Sequence, residues 1–419
     1  MATSKSRIAR LASTVATCTQ QIDDYLNQNS LPHPSFDANA PLHLGLPPHI
    51  EQLRTEVLDA TQELNDLLRE PRDILFDHHH NQLVYFQLIT RFDIAKKVPI
   101  DGEITYGDLA ARVGVDESAL CRIIRFGIAH RVFLEPRPGV IVHSAASKQI
   151  AVNRVMADWT HFNVDVMLPA ANYLVEALAK WPLAEEPNQT GFCLGYNTEN
   201  SFYTELTKDP ERARIFSSAM TFLTTGDDFA LHHLTDNYPF GDLGTGTVVD
   251  VGGSRGDVGF AIARKYPDLH LVVEDLPKVS ALSKEEPGVN VKFVAHDFFN
   301  EQPVKDADVY IYRWCLHNWP DKYCTKALRA LIPALKKGAK VLIMEFVMPP
   351  PSVLPNLVER RLRAMDVTML EIGNAKERTL EEWKDLFEKT DERFEMKGVV
   401  QPPGSRLSIL EFEWLGEGA

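Results

Sequence analysis

The chain has 419 residues, 44% hydrophobic and 24% charged, the balance of an ordinary globular protein with room for two domains. A formal net charge of -14 argues against a nucleic-acid backbone as partner. Cys18, Cys121, Cys193, Cys315 and Cys324 are scattered without a C-x-x-C pair, which speaks against a zinc ribbon or a disulfide framework and suits a reducing cytosol.

The amino terminus, M-A-T-S-K-S-R-I-A-R-L-A-S, is basic but lacks the apolar core and cleavage site of a secretion signal. No stretch approaches the ~18 apolar residues of a membrane span, so a cytoplasmic protein without a membrane partner is expected. Ile8, Leu11, Val15, Cys18, Ile22 and Leu26 predict an amphipathic helix over 7–27. Residues 31–48 are rich in Pro and His and read as a linker, followed by a helix over 50–68. His33, His43 and His49 are too loosely spaced to suggest a metal. His78, His79 and His80 are consecutive and cannot all face one ion from a regular helix, so a solvated triplet is expected.

From there to about residue 235 the pattern is mostly helical. Leu109 and Val113 before Gly114, then Leu120, Ile123 and Ile124, then Val132–Leu134 as a strand, follow the grammar of a winged helix. Only Arg122 and Arg125 lie on its second helix, so a structural use is favoured over DNA binding. Residues 156–181 and 200–234 carry stripes of aromatics and methionines. Such stripes usually pack as core, and the alternative is a pocket for a flat apolar ligand. His161, Phe162, Met167, Phe216, Met220, Met365 and Met369 are the candidates for that pocket.

At residue 245 the rhythm changes. Short β-branched runs at 247–251, 270–274, 291–294, 308–312 and 340–345, with one or two more after 393, alternate with helices at 257–265, 277–283, 321–335 and 379–389. The expected fold is α/β, a doubly wound Rossmann-like sheet preceded by a mostly helical winged-helix region. Residues 1–70 are expected to form the N-terminal helices and linker, 71–235 the winged-helix and substrate-binding domain, and 236–419 the cofactor-binding domain.

In such a sheet the strand ends line one crevice. The first strand runs into V-V-D-V-G-G-S-R-G-D-V-G at 248–259, where glycines let a ligand approach the backbone and a helix N-terminus offers free N–H groups. Asp275 follows at the spacing of a ribose-binding acid. Further strand ends bring Asp297 and Phe298, then Arg313 and His317, then Glu345, while Glu377 precedes the last helix. One acid at a strand end is commonly a helix cap, but several polar groups at successive strand ends point to a ligand site.

The ordered set V-D-V-G-G-x-x-G, E-D-L-P, H-D-F-F, W-C-L-H-N-W-P-D, V-L-I-M-E and G-N-A-K-E-R-T resembles the S-adenosylmethionine-dependent O-methyltransferases of the plant caffeate type and their fungal secondary-metabolism relatives. The motifs cover roughly 245–415, and the winged-helix segment is similar to that family's dimerisation domain. The resemblance implies S-adenosyl-L-methionine as cofactor. Gly252 and Gly253 would approach its methionine part, Asp275 its ribose, and Asp297 and Phe298 its adenine. Arg313 stands where the family usually has lysine, near the cofactor carboxylate. His317 matches the general base, flanked by Glu345 and Glu377. A homodimer, an aromatic or polyketide-type small-molecule substrate and a metal-free site are also implied. Ser254 replaces the usual middle glycine, Asn318 stands where an acid is common, and the stretch from Met369 to Glu377 is one residue shorter than in plant members.

The expected reaction is methylation of a phenolic or enolic hydroxyl of a secondary metabolite. The alternative is a pericyclase or cyclase on the same fold, which binds the cofactor without transferring methyl and in which His161 with Asp158 could act. Retention of His317 and both glutamates favours methylation. A transcriptional regulator is disfavoured by charge, and an NAD dehydrogenase leaves H-D-F-F and H-N-W-P-D without a use.

Overall fold

Leu11, Cys18 and Leu26 recur on one face of α1 (Arg7–Gln28) and are its buried residues. Ser6 caps the helix by accepting from the Ala9 N–H. α2 (Pro48–Leu68) lies along α1, with Arg7 paired to Glu63. The computed structural model describes residues 5–76, 78–281 and 286–416. The chain divides into two compact units, one of residues 1–169, 209–222 and 351–363, the other of 170–208, 223–350 and 364–419.

Local signals build the winged helix of the first unit. Thr105 caps α3 (Tyr106–Val113), Gly114 ends it at φ +68°, and Asp116 caps α4 (Glu117–Ala129). β1 (Ile104–Thr105), β2 (Leu134–Arg137) and β3 (Val140–Val142) form an antiparallel sheet in the order β1-β3-β2. Its first long strand starts at Leu134 rather than Val132, because Arg131 and Phe133 sit at φ +65° and +68° and turn the chain. That turn drops Phe133 into the core with Leu109, Leu120, Ile124 and Ile141. Arg125 is tied to Glu135 by bonds of 2.9 and 2.7 Å, and Glu135 also accepts from the Tyr106 hydroxyl. α5 (Arg154–Phe162) then continues into a π-helical turn at Asn163–Met167, and α6 spans Pro210–Thr224.

The second unit is built on seven strands: β4 (Thr247–Val251), β5 (His270–Asp275), β6 (Val291–Ala295), β7 (Val309–Arg313), β8 (Lys340–Glu345), β9 (Phe394–Val400) and β10 (Ser408–Trp414). Their order is β6-β5-β4-β7-β8-β10-β9, parallel through β8, with β10 antiparallel to both neighbours. Val248, Val249, Val309, Ile311, Leu342 and Ile343 are fully buried, as expected of parallel strands covered on both faces. α7 (Asp257–Lys265), α8 (Asp321–Leu331), α9 (Asn356–Gly373) and α10 (Leu380–Thr390) are the main helices after β4. α8 gives way to a 3-10 turn at Ile332–Ala334, where Pro333 cannot donate to the helix. The helix expected over 277–283 is Pro277–Ser280, and residues 282 and 283 lie outside the described residues. The order of the strands reverses between β4 and β7, so the crevice at their carboxyl ends is the ligand position for this topology.

Candidate active site

β4 delivers the glycine turn to that crevice. Gly252 takes φ +72°, and a Cβ there would meet Cys315 Sγ at 3.2 Å and Phe298 Cε1 at 3.8 Å. A Cβ at Gly253 would lie 2.3 Å from Asp250 Oδ2, so no side chain is tolerated. Ser254, at φ +52°, donates its N–H to Asp275 Oδ2 at 2.9 Å, while Asp275 Oδ1 accepts from Leu276 N at 2.7 Å. The ends of β4 and β5 are thereby tied together by the acid itself. Burial pushes the Asp275 carboxyl above its ordinary range, partly offset by those two donors. Asp297, past β6, accepts from Phe299 N at 3.0 Å and so sets the turn that presents Phe298.

Two side chains beside this turn each hold a buried polar atom without a partner. Arg313, at the end of β7, donates from Nη2 to the Phe229 carbonyl at 2.7 Å, but its Nε is orphaned. Asp250 Oδ2 is likewise unsatisfied, and burial pushes this carboxyl up to about 7 against the pull of Arg313. Orphaned buried polar atoms are uncommon unless a ligand or water completes them. A cation and an acid beside a side-chain-free turn, an acid at β5 and an aromatic ring at β6 fit a zwitterionic amino-acid group, a ribose diol and a base. The residues present therefore fit S-adenosylmethionine.

His317 sits in a buried turn at Leu316–Asn318, after β7. Its Nδ1 is 2.7 Å from Glu377 Oε1, and the Trp314 ring is stacked on it at 5.4 Å and 18°. Glu345 does something different. Its Oε1 accepts from the backbone N–H groups of Cys315, Leu316 and His317 at 2.7, 2.9 and 3.4 Å, so it caps the turn. Burial opposes a charge on His317, but the fields of Glu345 and Glu377 and the Glu377 hydrogen bond outweigh it and raise its pKa. Glu345 is itself pushed up by burial. Glu377 is placed by its own N–H, which donates to Asp366 Oδ1 at 2.9 Å.

Three contributors carried no role at the level of sequence. Trp314 reaches over the imidazole from φ +51°, a left-handed conformation that no pattern signals. Cys315 walls the glycine turn. Arg378 is fully buried and clamps the loop, donating to Leu316 O at 3.2 Å, Trp319 O at 2.8 Å and Asp321 Oδ1 at 2.9 and 2.7 Å. Its only signal was its place beside Glu377.

The structure brings Gly252, Gly253, Asp275, Asp297, Phe298, Arg313, His317, Glu345 and Glu377 into the second unit, together with Met365 and Met369, half-buried one turn apart on α9. His161, Phe162, Met167, Phe216 and Met220 belong to the first unit. Phe162 is 2% exposed and packs on Phe216 at 5.7 Å. Met167 ends the π-helical turn. His161 pairs with Asp165 at 2.5 Å. Asp158 is committed to Arg214 through bonds of 2.7 and 2.9 Å.

Comparison with known proteins agrees with this construction. A sequence profile of the O-methyltransferase domain matches residues 176–391. O-methyltransferase gsfB of Penicillium aethiopicum is 41% identical over 418 residues, covering 99% of this chain and all of that protein. The crystal structure of OxaC in complex with SAH and oxaline has a TM-score of 0.75 at 19% identity, covering 97% of this chain and 98% of that one. A structure titled a pericyclic reaction enzyme has a TM-score of 0.69 at 20% identity, covering 96% of this chain and 100% of that one. The likenesses to these two structures concern the fold. The chain belongs to the O-methyltransferase family. It is an S-adenosylmethionine-dependent O-methyltransferase, and S-adenosyl-L-methionine is its cofactor.

Proposed function

We propose that this enzyme methylates a phenolic or enolic hydroxyl of a small aromatic or polyketide-type secondary metabolite, with His317 as general base. The observation that carries the reading is the buried His317–Glu377 hydrogen bond of 2.7 Å. With Nδ1–H donating to the carboxylate, the lone pair lies on Nε2, and the carboxylate stabilises the imidazolium formed when Nε2 takes a proton. A phenol with a pKa near ~10 is scarcely ionised at neutral pH, so a positioned base is what the hydroxyl lacks. When bound, S-adenosylmethionine supplies a methyl carbon already activated by the positive sulfur beside it. Gly252 and Gly253 would admit its methionine part, and Arg313 would hold its carboxylate. Asp275 would accept from the ribose, Asp297 would hold the adenine amino group and Phe298 would cover the ring. Glu345 holds the turn carrying His317, and Glu377 orients the ring. Met365 and Met369, half-buried one turn apart on α9, are proposed to shape the substrate pocket.

The working form is proposed to be a cytoplasmic homodimer joined through the amino-terminal unit. Leu68, Leu75 and Phe76 there are 63%, 85% and 66% exposed, more apolar surface in one stretch than a monomer usually leaves wet. No described helix is long and apolar enough to cross a membrane. The pericyclase reading draws on the fold alone, whereas His317, Glu345 and Glu377 have no use in it. Incubation with methyl-labelled S-adenosylmethionine and a panel of polyketide phenols, tetramic acids and pyridone alcohols tests the choice. Label in the product supports methylation. Rearranged product with no S-adenosylhomocysteine released supports the pericyclase.

A further inference from the structure

Beyond the strand-end crevice, the second unit gathers another set of ligating side chains. Asp227, His232 and His233 each place one donor atom within 4.8 Å of the other two, and no other such trio is found among the described residues. The donors come from a 3-10 turn at Asp227–Phe229 and the short helix His232–Thr235. The two imidazole rings are 4.2 Å apart between centroids.

Each donor is prepared differently. His233 is 2% exposed, and its Nε2 lies 2.6 Å from the Asp227 carbonyl oxygen. Donation from Nε2–H fixes the tautomer with its lone pair on Nδ1, as carbonyl acceptors do for metal-bound histidines. Asp227 and His232 are exposed, which leaves an entry path for an ion. The cations nearby are already engaged: Lys265 pairs with Asp236 at 2.6 Å and Arg406 with Asp228. The Asp227 carboxylate stands outside both pairs.

We propose that Asp227, His232 and His233 form a binding site for a zinc-class divalent transition metal. Two imidazoles and one carboxylate suit such an ion, whereas magnesium and calcium prefer all-oxygen sets. Three protein ligands leave a fourth position for water. The ion would clamp the turn that carries Phe229. The Phe229 carbonyl receives Arg313, and its ring packs on Trp314 at 5.0 Å. The site thus braces a wall of the crevice and takes no part in proton or methyl transfer.

Cobalt(II) is the probe, titrated into chelator-treated full-length protein and read by its visible absorption and by calorimetry. One ion per chain is expected, with the intense band of a four-coordinate N/O site, displaced by zinc. Asp227→Asn and His232→Ala, both at exposed positions, should each weaken binding by at least about tenfold, the scale on which even partners of the ligands act. Replacing His78, His79 and His80 together by Ala should leave the affinity unchanged. Binding no tighter than millimolar, or unchanged in both single variants, or abolished by the triple replacement, would overturn the proposal.

Discussion

The strand ends of the second unit and the helices of the first received their chemistry in different ways. At the strand ends, each candidate residue sits within a few positions of a strand whose place in the sheet is fixed by β-branched runs and by parallel topology. Convergence follows from the fold. On α5 and α6 the stripe positions carry no such guarantee. Phe162 turned inward, His161 found Asp165, and Asp158 was taken by Arg214 from another helix. The strand-end positions are held by topology, whereas the contacts made on α5 and α6 depend on how the helices pack.

The largest expected effect lies on the topological side. His317→Ala should leave S-adenosylmethionine affinity nearly intact while turnover with a neutral phenol falls ~10²–10⁴-fold, the usual contribution of a positioned base. Calorimetry and product counting on one preparation separate the two. Full turnover would dissolve the contrast between the regions. On the helical side, Phe162→Ala should cost ~3–5 kcal/mol of stability as a core truncation, seen as a lowered denaturation midpoint. A stable variant with altered substrate choice would instead make Phe162 a pocket residue. Asp275→Ala should weaken cofactor binding by ~1–3 kcal/mol, read by calorimetry. The loss includes the tie to the Ser254 N–H, so Asp275→Asn should be milder. The smallest effect is that of excess chelator: at saturating S-adenosylmethionine it should leave the methyl-transfer rate nearly unchanged, because the proposed base and its carboxylates complete the chemistry without an ion, and an ion at Asp227, His232 and His233 would act only on the wall that Arg313 contacts. Restoration of a lost activity by magnesium would contradict this.

Much of the second unit was legible because its signals are short-range. The glycine turn, the acid after β5 and the strand boundaries follow from residues that are neighbours in the chain. The cap of the last helix is local too, with Thr379 accepting from Glu382 N. What escaped was conformational or long-range. Nothing in W-C-L-H-N-W-P-D announces that Trp314 enters the left-handed region and turns its ring over His317. Glu345 was expected beside the imidazole, yet its Oε1 serves three backbone N–H groups, a distinction between acids that composition cannot make. The early start expected for the wing strand failed at Phe133 for a similar backbone reason.

The central claim is that the imidazole of His317, held by Glu377, removes the substrate proton, and a pH profile of single-turnover methyl transfer to a neutral phenol tests it most directly. The protonated imidazole cannot act, and its neighbouring carboxylates raise its pKa. The rate should therefore be low at acid pH and rise through a midpoint above the ordinary histidine value of ~6.5. In Glu377→Gln the midpoint should move down, because the Coulombic and hydrogen-bond support for the cation is lost. A rate that is flat across this range, or a midpoint that Glu377→Gln leaves in place, would contradict the assignment of His317 and Glu377 as the working pair.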